Sequence, residues 1–184
     1  EVVPQKAVGP RPERFRVPKI SVQAVAFTQP GRIGDYGWQL RDAQQADPQF
    51  GRALHVYNEN CRQQMNKNET SPGGGNAIAR PYRRMGRSIG MPTGCFGGFK
   101  SLDENCYGPG FDNLTAKQMI DMASEEIVMQ VCDNPLRYDK IYYCKNAGDE
   151  EELIGMGIFH IEDGPRRYIT DKLKGLPSAI QKCA

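Results

Sequence analysis

The six residues Ser71 to Asn76, Ser-Pro-Gly-Gly-Gly-Asn, constrain the fold of this chain more than any other stretch. Glycine loses more backbone freedom on folding than any other residue, so three in succession are costly in an ordered segment. They are retained where φ is positive or where a ligand lies against bare backbone. The triplet follows an apolar run, Ala53 to Tyr57, that ends in Asn58-Glu59-Asn60. A second run, Ser88 to Met91, ends in a second loop, Thr93-Gly94-Cys95-Phe96-Gly97-Gly98. Two glycine-rich loops that each leave a strand point to a polyphosphate site built from backbone N–H groups. A pair of tight turns is the plainer alternative, although turns ordinarily need one or two glycines rather than three.

The rest of the pattern is that of one α/β domain. Ile20 to Phe27 alternates as a strand does, and residues 28–50 are polar and glycine-bearing enough to be mostly loop. Ala53 to Tyr57 predicts a short buried strand, and Glu59 to Lys67 a short helix. Ala77 to Met85 is expected to be helical only as far as Arg80, because Pro81 has no N–H to donate. Ser88 to Met91 reads as a strand closed by Pro92. Thr115 and Gln118 form a capping box ahead of Ile120, Ala123, Ile127 and Val131 at helical spacing, so Thr115 to Cys132 predicts a helix. Lys140 to Cys144 and Leu153 to Ile161 read as strands, and Arg166 to Lys174 as a last helix stopped by Gly175. Strands alternating with helices predict a single layered domain over residues 20–184 with a mixed, partly parallel sheet. Residues 1–19, with four spaced prolines and five Lys or Arg, predict an extended basic arm. Such an arm is either a disordered tail or a contact to a partner protein or a polyanion.

A formal charge of +2 over 184 residues does not indicate nucleic acid as a partner, and no apolar run is long enough to span a membrane. The six cysteines show no Cys-x-x-Cys and no metal-ligand spacing, and only two histidines are present, so neither a metal nor a cofactor is expected. Cys132 and Cys144 lie inside apolar segments and read as buried free thiols. All six cysteines are therefore expected to be reduced and unpaired, in an intracellular compartment. The cytoplasm is favoured over an organelle reached after N-terminal processing of a chain that opens on Glu1.

Ligands of open α/β sheets bind beyond the carboxyl ends of the strands. Asn58, Asn60, Gly73, Gly74, Gly75, Asn76, Thr93, Gly94, Cys95, Phe96, Gly97 and Gly98 all follow predicted strands and are expected to meet at one sheet edge. The asparagine amides suit ribose hydroxyls or an ordered water, with helix capping as the alternative role. The glycine-loop amides suit a diphosphate, and Gly94→Val is expected to block approach to them. Arg80, Arg83, Arg84 and Arg87 either grip phosphate or form a solvated or partner-contacting face. Cys95, a thiol among N–H donors, is a candidate nucleophile with no histidine near it in sequence. Trp38 either stacks on a base or plugs the core.

The order strand, Asn-x-Asn, Gly-Gly-Gly, short helix, strand, Thr-Gly-x-x-Gly resembles the macrodomain family, which binds ADP-ribose. Ser88 to Gly98 is similar to the family's Ser-Ile-x-x-Pro strand and its phosphate loop, and Gly34-Asp35 to its Gly-Asp pair. The resemblance spans roughly residues 34 to 145. It implies a macrodomain-like fold, ADP-ribose as ligand, Asp35 on the adenine amine and Gly94 to Gly98 on the diphosphate. The chain departs from the pattern in three places. Asp35 lies farther ahead of the asparagines, Pro81 interrupts the glycine helix, and the strands between that helix and the phosphate loop are missing. Hydrolysis would use a water held by Asn58, Asn60 or Asn76, with Asp35 the only acid close to the motifs. Binding is thus expected over catalysis. The alternative function is a non-catalytic subunit of a large assembly, using residues 1–19 and the arginine cluster.

Overall fold

The structure, a computed structural model, describes residues 19–26 and 35–183. Apart from Lys19, the arm expected over residues 1–19 lies outside the described residues, as does Gly34. Four strands, β1 (Ser21–Ala26), β2 (Ala53–Asn60), β3 (Ser88–Gly94) and β6 (Lys140–Lys145), form one sheet in the order β1-β6-β2-β3. Every pairing in it is parallel, with Ser21 and Ala53 both opposite Lys140 and His55 opposite Ser88. A two-stranded antiparallel ribbon, β4 (Asn105–Cys106) with β5 (Leu114–Thr115), stands apart from it.

β2 is flanked on both sides and covered on both faces, which is why it reads as a continuous apolar run rather than an alternating one. Leu54 and Val56 enter a core with Ile89, Ile141 and Tyr143 from the other strands. That core is closed by α5 (Ala116–Cys132) and α6 (Asp163–Gln181), which supply Ile120, Ile127, Ile169 and Leu173. Ala53 and Tyr57 turn to the opposite face and pack with Tyr142 and Cys144 against a second layer. This layer holds Tyr36 and Leu40 around α1 (Tyr36–Gln39), Phe50 of α3 (Pro48–Gly51), and Ala77 and Ala79 of a 3-10 helix, Gly75–Met85. The arrangement is a three-layer α/β sandwich over an all-parallel main sheet.

Several boundaries differ from the sequence expectation, each for a local reason. The end of the polar 28–50 stretch is not loop but three single turns, α1, α2 (Asp42–Gln45) and α3, two of them capped by Asp35 and Asp47. The 3-10 helix runs through Pro81 to Met85 instead of stopping at Arg80, and Gly86 at φ 64° ends it. β3 continues through Pro92, as an edge strand can, because a missing N–H costs little where one side of the backbone is unpaired. Leu153 to Ile161 forms no strand. α6 runs past Gly175 and even Pro177. A proline inside a helix costs about 3 kcal/mol, and burying Leu176 and Ile180 beside Ile169 and Leu173 returns roughly that much or more. α5 and its capping box match the expectation.

The cysteines require a correction. Cys95 is bonded to Cys106 and Cys132 to Cys183, whereas Cys61 and Cys144 are free and buried. Pairing depends on which elements the fold brings together, and partners 11 and 51 residues apart leave no spacing signature. No helix among the described residues is long and apolar enough to cross a membrane.

His55 of β2 is fully buried, with Nε2 2.9 Å from Gln39 Oε1 and the edges of Tyr36 and Tyr142 around its ring. Burial lowers its pKa to about 4, opposed in part by backbone hydrogen bonding. The unfolded chain therefore takes up a proton near pH 6.5 that the folded one resists down to about pH 4. Stability present above pH 6.5 should be lost as pH falls through that window, by about 3 kcal/mol in total. Urea midpoints at pH 7 and pH 4.5 should show the fall, and His55→Gln should flatten the component due to this ring.

Candidate nucleotide cleft

Parallel pairing puts the carboxyl ends of all four strands at one edge. Beyond β2, β3 and β6 that edge opens into a cleft of about 510 Å³. The chain leaves β2 through a short helix, Cys61–Met65, whose Cys61 joins the Tyr143-face core, and then crosses to the 3-10 helix on the Tyr57 face, whereas β6 is followed by α6 on the Tyr143 face. The crevice thus lies where the connections diverge, the usual place for a ligand in such sheets.

Eleven residues named from the sequence line this cleft together: Asn58, Asn60, Gly74, Gly75, Asn76, Thr93, Gly94, Cys95, Phe96, Gly97 and Gly98. Gly73 does not, since it packs against Ala77 and the Arg80 guanidinium. Asp35 does not either. It caps α1, accepting a bond from Gly37 N at 3.0 Å, and lies behind the wall near Cys144. Burial pushes the Cys144 thiol up to about 11, and the Asp35 charge adds to the rise.

The asparagines tie the walls together. Asn58 N donates to Asn76 Oδ1 at 2.8 Å and Asn76 Nδ2 returns a bond to Asn58 Oδ1 at 3.2 Å. Asn58 Nδ2 reaches across to Gly155 O at 2.7 Å. Asn60 caps α4 (Cys61–Met65) through Arg62 N and donates to Cys95 O at 2.9 Å, so its capping role and its place in the cleft coexist. A bulge at Glu59/Asn60 shifts the register so that Asn60 faces Gly94 and Thr93 is left over at the rim.

The second loop is closed by Phe99 N donating to Thr93 O at 2.8 Å. A Cβ on Gly94 would stand 1.5 Å from Gly97 O, and one on Gly98 1.8 Å from His160 O. Both glycines are there because backbone approaches backbone. Gly94→Val would therefore break the loop itself before it blocked any ligand. Gly74 is different: φ is −71° and nothing lies within 4 Å of its Cβ position. Among the described residues, the N–H groups of Phe96, Gly97 and Gly98 make no hydrogen bond. They remain available to an anion.

The arginine cluster is already engaged within the chain. Arg80 grips both oxygens of buried Glu59 at 2.7 Å and donates to Ser71 O. Arg83 binds the carbonyls of Gln63, Asn66 and Glu69, Arg84 that of Asn68, and Arg87 pairs with Asp42. Trp38 packs edge-on to Phe50 rather than in the cleft.

Sequence reading missed the third wall. Lys145, the last residue of β6, and Asn146 just after it line the cleft, and Lys145 forms no ion pair among the described residues. The rule that placed Asn58 in the site, a polar residue just past a predicted strand, applies equally to Lys145. Gly155 to Ile161, within the Leu153 to Ile161 stretch expected as a strand, supplies the remaining wall. It is held by Gly155 N on Cys144 O and Met156 N on Asn146 Oδ1. Ile158 and Phe159 there, and Phe96 opposite, expose large apolar side chains at the cleft, Ile158 to 90% and Phe96 to 86%. No protein-family model, curated protein or solved structure matches the chain.

Proposed function

We propose that this cleft binds a nucleoside diphosphate derivative, with ADP-ribose as the leading ligand. The observation that carries the reading is the convergence of both glycine loops and the asparagine segment on one crevice at the carboxyl edge of a parallel sheet. The volume is that of an ordinary small-molecule site. In this reading the unpartnered amides of Phe96 to Gly98 and the Gly74-Gly75 backbone take the diphosphate, with Lys145 supplying charge. Spare hydrogen-bonding capacity on Asn58 and Asn60 takes ribose hydroxyls. Phe96, Ile158 and Phe159, large apolar side chains exposed at the cleft, cover the apolar faces of the bound molecule. The macrodomain resemblance of the same residues supports the same class of ligand.

Binding is favoured over hydrolysis. Glu59 is the one carboxylate lining the cleft among the described residues, and Arg80 and Asn60 N occupy its oxygens. A general base needs a free lone pair near the reacting water. Thermal unfolding with ADP-ribose, ADP and AMP provides the test. A ligand at 100 times its Kd adds about 2.7 kcal/mol, a shift of several degrees for a chain of this size. ADP-ribose should give the largest shift. No shift with any adenine nucleotide at millimolar concentration would refute the proposal.

A further inference from the structure

Three sulfurs from three separate elements meet beneath the second glycine loop. Cys61 opens α4, Cys95 sits within the loop and Cys106 lies on β4. Cys61 Sγ is 3.0 Å from Cys95 Sγ and 3.4 Å from Cys106 Sγ, and all three lie within 4.8 Å of one another. Cys61 and Cys106 are fully buried, whereas Cys95 reaches the cleft. A disulfide needs two of these atoms. The fold spends a third buried cysteine on the same point.

We propose that, once the Cys95–Cys106 bond is reduced, the three thiols form a binding site for a thiophilic divalent cation of the zinc type. Zinc–thiolate bonds of about 2.3 Å set sulfurs about 3.8 Å apart, so the trio needs only a small opening to accept the ion. No histidine or carboxylate among the described residues joins the three. The donor set is therefore all sulfur, which selects soft or borderline metals over magnesium or calcium. The fourth position is left to water from the cleft side. A divalent ion leaves this pocket one net negative charge with three thiolates, while a monovalent one would leave two. Cys61 and Cys106 are wholly out of water, and uncompensated charge is costly in a buried site, so the lower residual charge is favoured. The balance is simple: a phosphine reductant supplies two electrons and water two protons to the disulfide, and metal binding then releases three thiol protons. The inference is independent of any nucleotide. It does imply that metal or disulfide alike pins Cys95, and with it the loop that lines the cleft.

Cobalt(II) titration of the phosphine-reduced, oxygen-free full chain tests this. One equivalent of Co²⁺ should develop intense sulfur-to-cobalt charge-transfer absorption, be displaced by Zn²⁺, and Zn²⁺ should release about three protons per chain in weakly buffered solution. Cys61→Ser should weaken binding at least about tenfold and reduce the band, whereas Cys144→Ser and Cys183→Ser should leave both unchanged. Absence of the charge-transfer band, or a band that survives in Cys61→Ser, would overturn the proposal. Proton release is read on the natural chain, so a variant that fails to fold does not remove the test.

Discussion

Replacing Arg80 with alanine should destabilise the fold by about 3–5 kcal/mol, the usual result of removing one partner from a buried ion pair. Both side chains are almost completely out of water, and the guanidinium meets Glu59 through two bonds of 2.7 Å. It also ties Ser71 O, at the start of the glycine segment, to the end of β2. Loss of the arginine strands the Glu59 charge among the cleft walls and frees the loop together. Glu59→Gln should cost less, since a neutral amide is cheaper to leave half-satisfied than a carboxylate. The double variant Glu59→Gln/Arg80→Met should recover part of the loss. Urea unfolding at pH 7 measures all three. An Arg80→Ala penalty below about 1 kcal/mol would place this pair in the class of exposed, weakly contributing ion pairs.

Cys183→Ser should cost roughly 2–4 kcal/mol. The bond to Cys132 joins the ends of α5 and α6 across 51 residues, and closing a loop of that size removes about 4 kcal/mol of chain entropy from the unfolded state. Cys183 is exposed, so the serine itself introduces no cavity or buried hydroxyl. Reductant should lower the stability of the natural chain further, because it also opens the shorter Cys95–Cys106 link, whose closure accounts for about 3 kcal/mol. Non-reducing peptide mapping should recover the pairs 95–106 and 132–183. Finding all six thiols free in the native protein would contradict this and restore the expectation drawn from spacing alone.

What the sequence revealed and what it hid follow from the range of the forces involved. α5 was legible because its capping box and its stripe of Ile120, Ala123, Ile127 and Val131 are local signals. β2 was legible because a strand buried on both faces shows no polar alternation: from Ala53 to Tyr57 only the buried His55 interrupts the apolar run. The glycine loops pointed to one edge because parallel strands share a direction, and parallel pairing was implied by helices between strands. The run of α6 through Gly175 and Pro177 was hidden, since propensity there opposes a burial pattern that only the sheet and α5 supply. The partner of Arg80 was hidden as well: Glu59 lies 21 residues away with no periodic relation to it. The three sulfurs come from elements joined only by tertiary contact, so no spacing could announce them. The Leu153–Ile161 stretch has strand-like composition but no neighbour at which to pair. It became a cleft wall instead, with Phe96, Ile158 and Phe159 exposed at the cleft.

Calorimetry of ADP-ribose against the natural chain and Gly74→Val, run side by side, tests the central claim most directly. A side chain at Gly74 meets nothing in the protein and needs no unusual backbone angle, so the variant should melt within a degree or two of the natural chain. Its methyl groups would occupy the place where the diphosphate is held to lie against bare backbone. Saturable binding by the natural chain, weakened at least about a hundredfold in Gly74→Val at unchanged stability, is the expected result; each factor of ten corresponds to about 1.4 kcal/mol. Equal affinity in the two proteins, or no heat from either at millimolar ligand, would contradict the assignment of the glycine loops as a phosphate site.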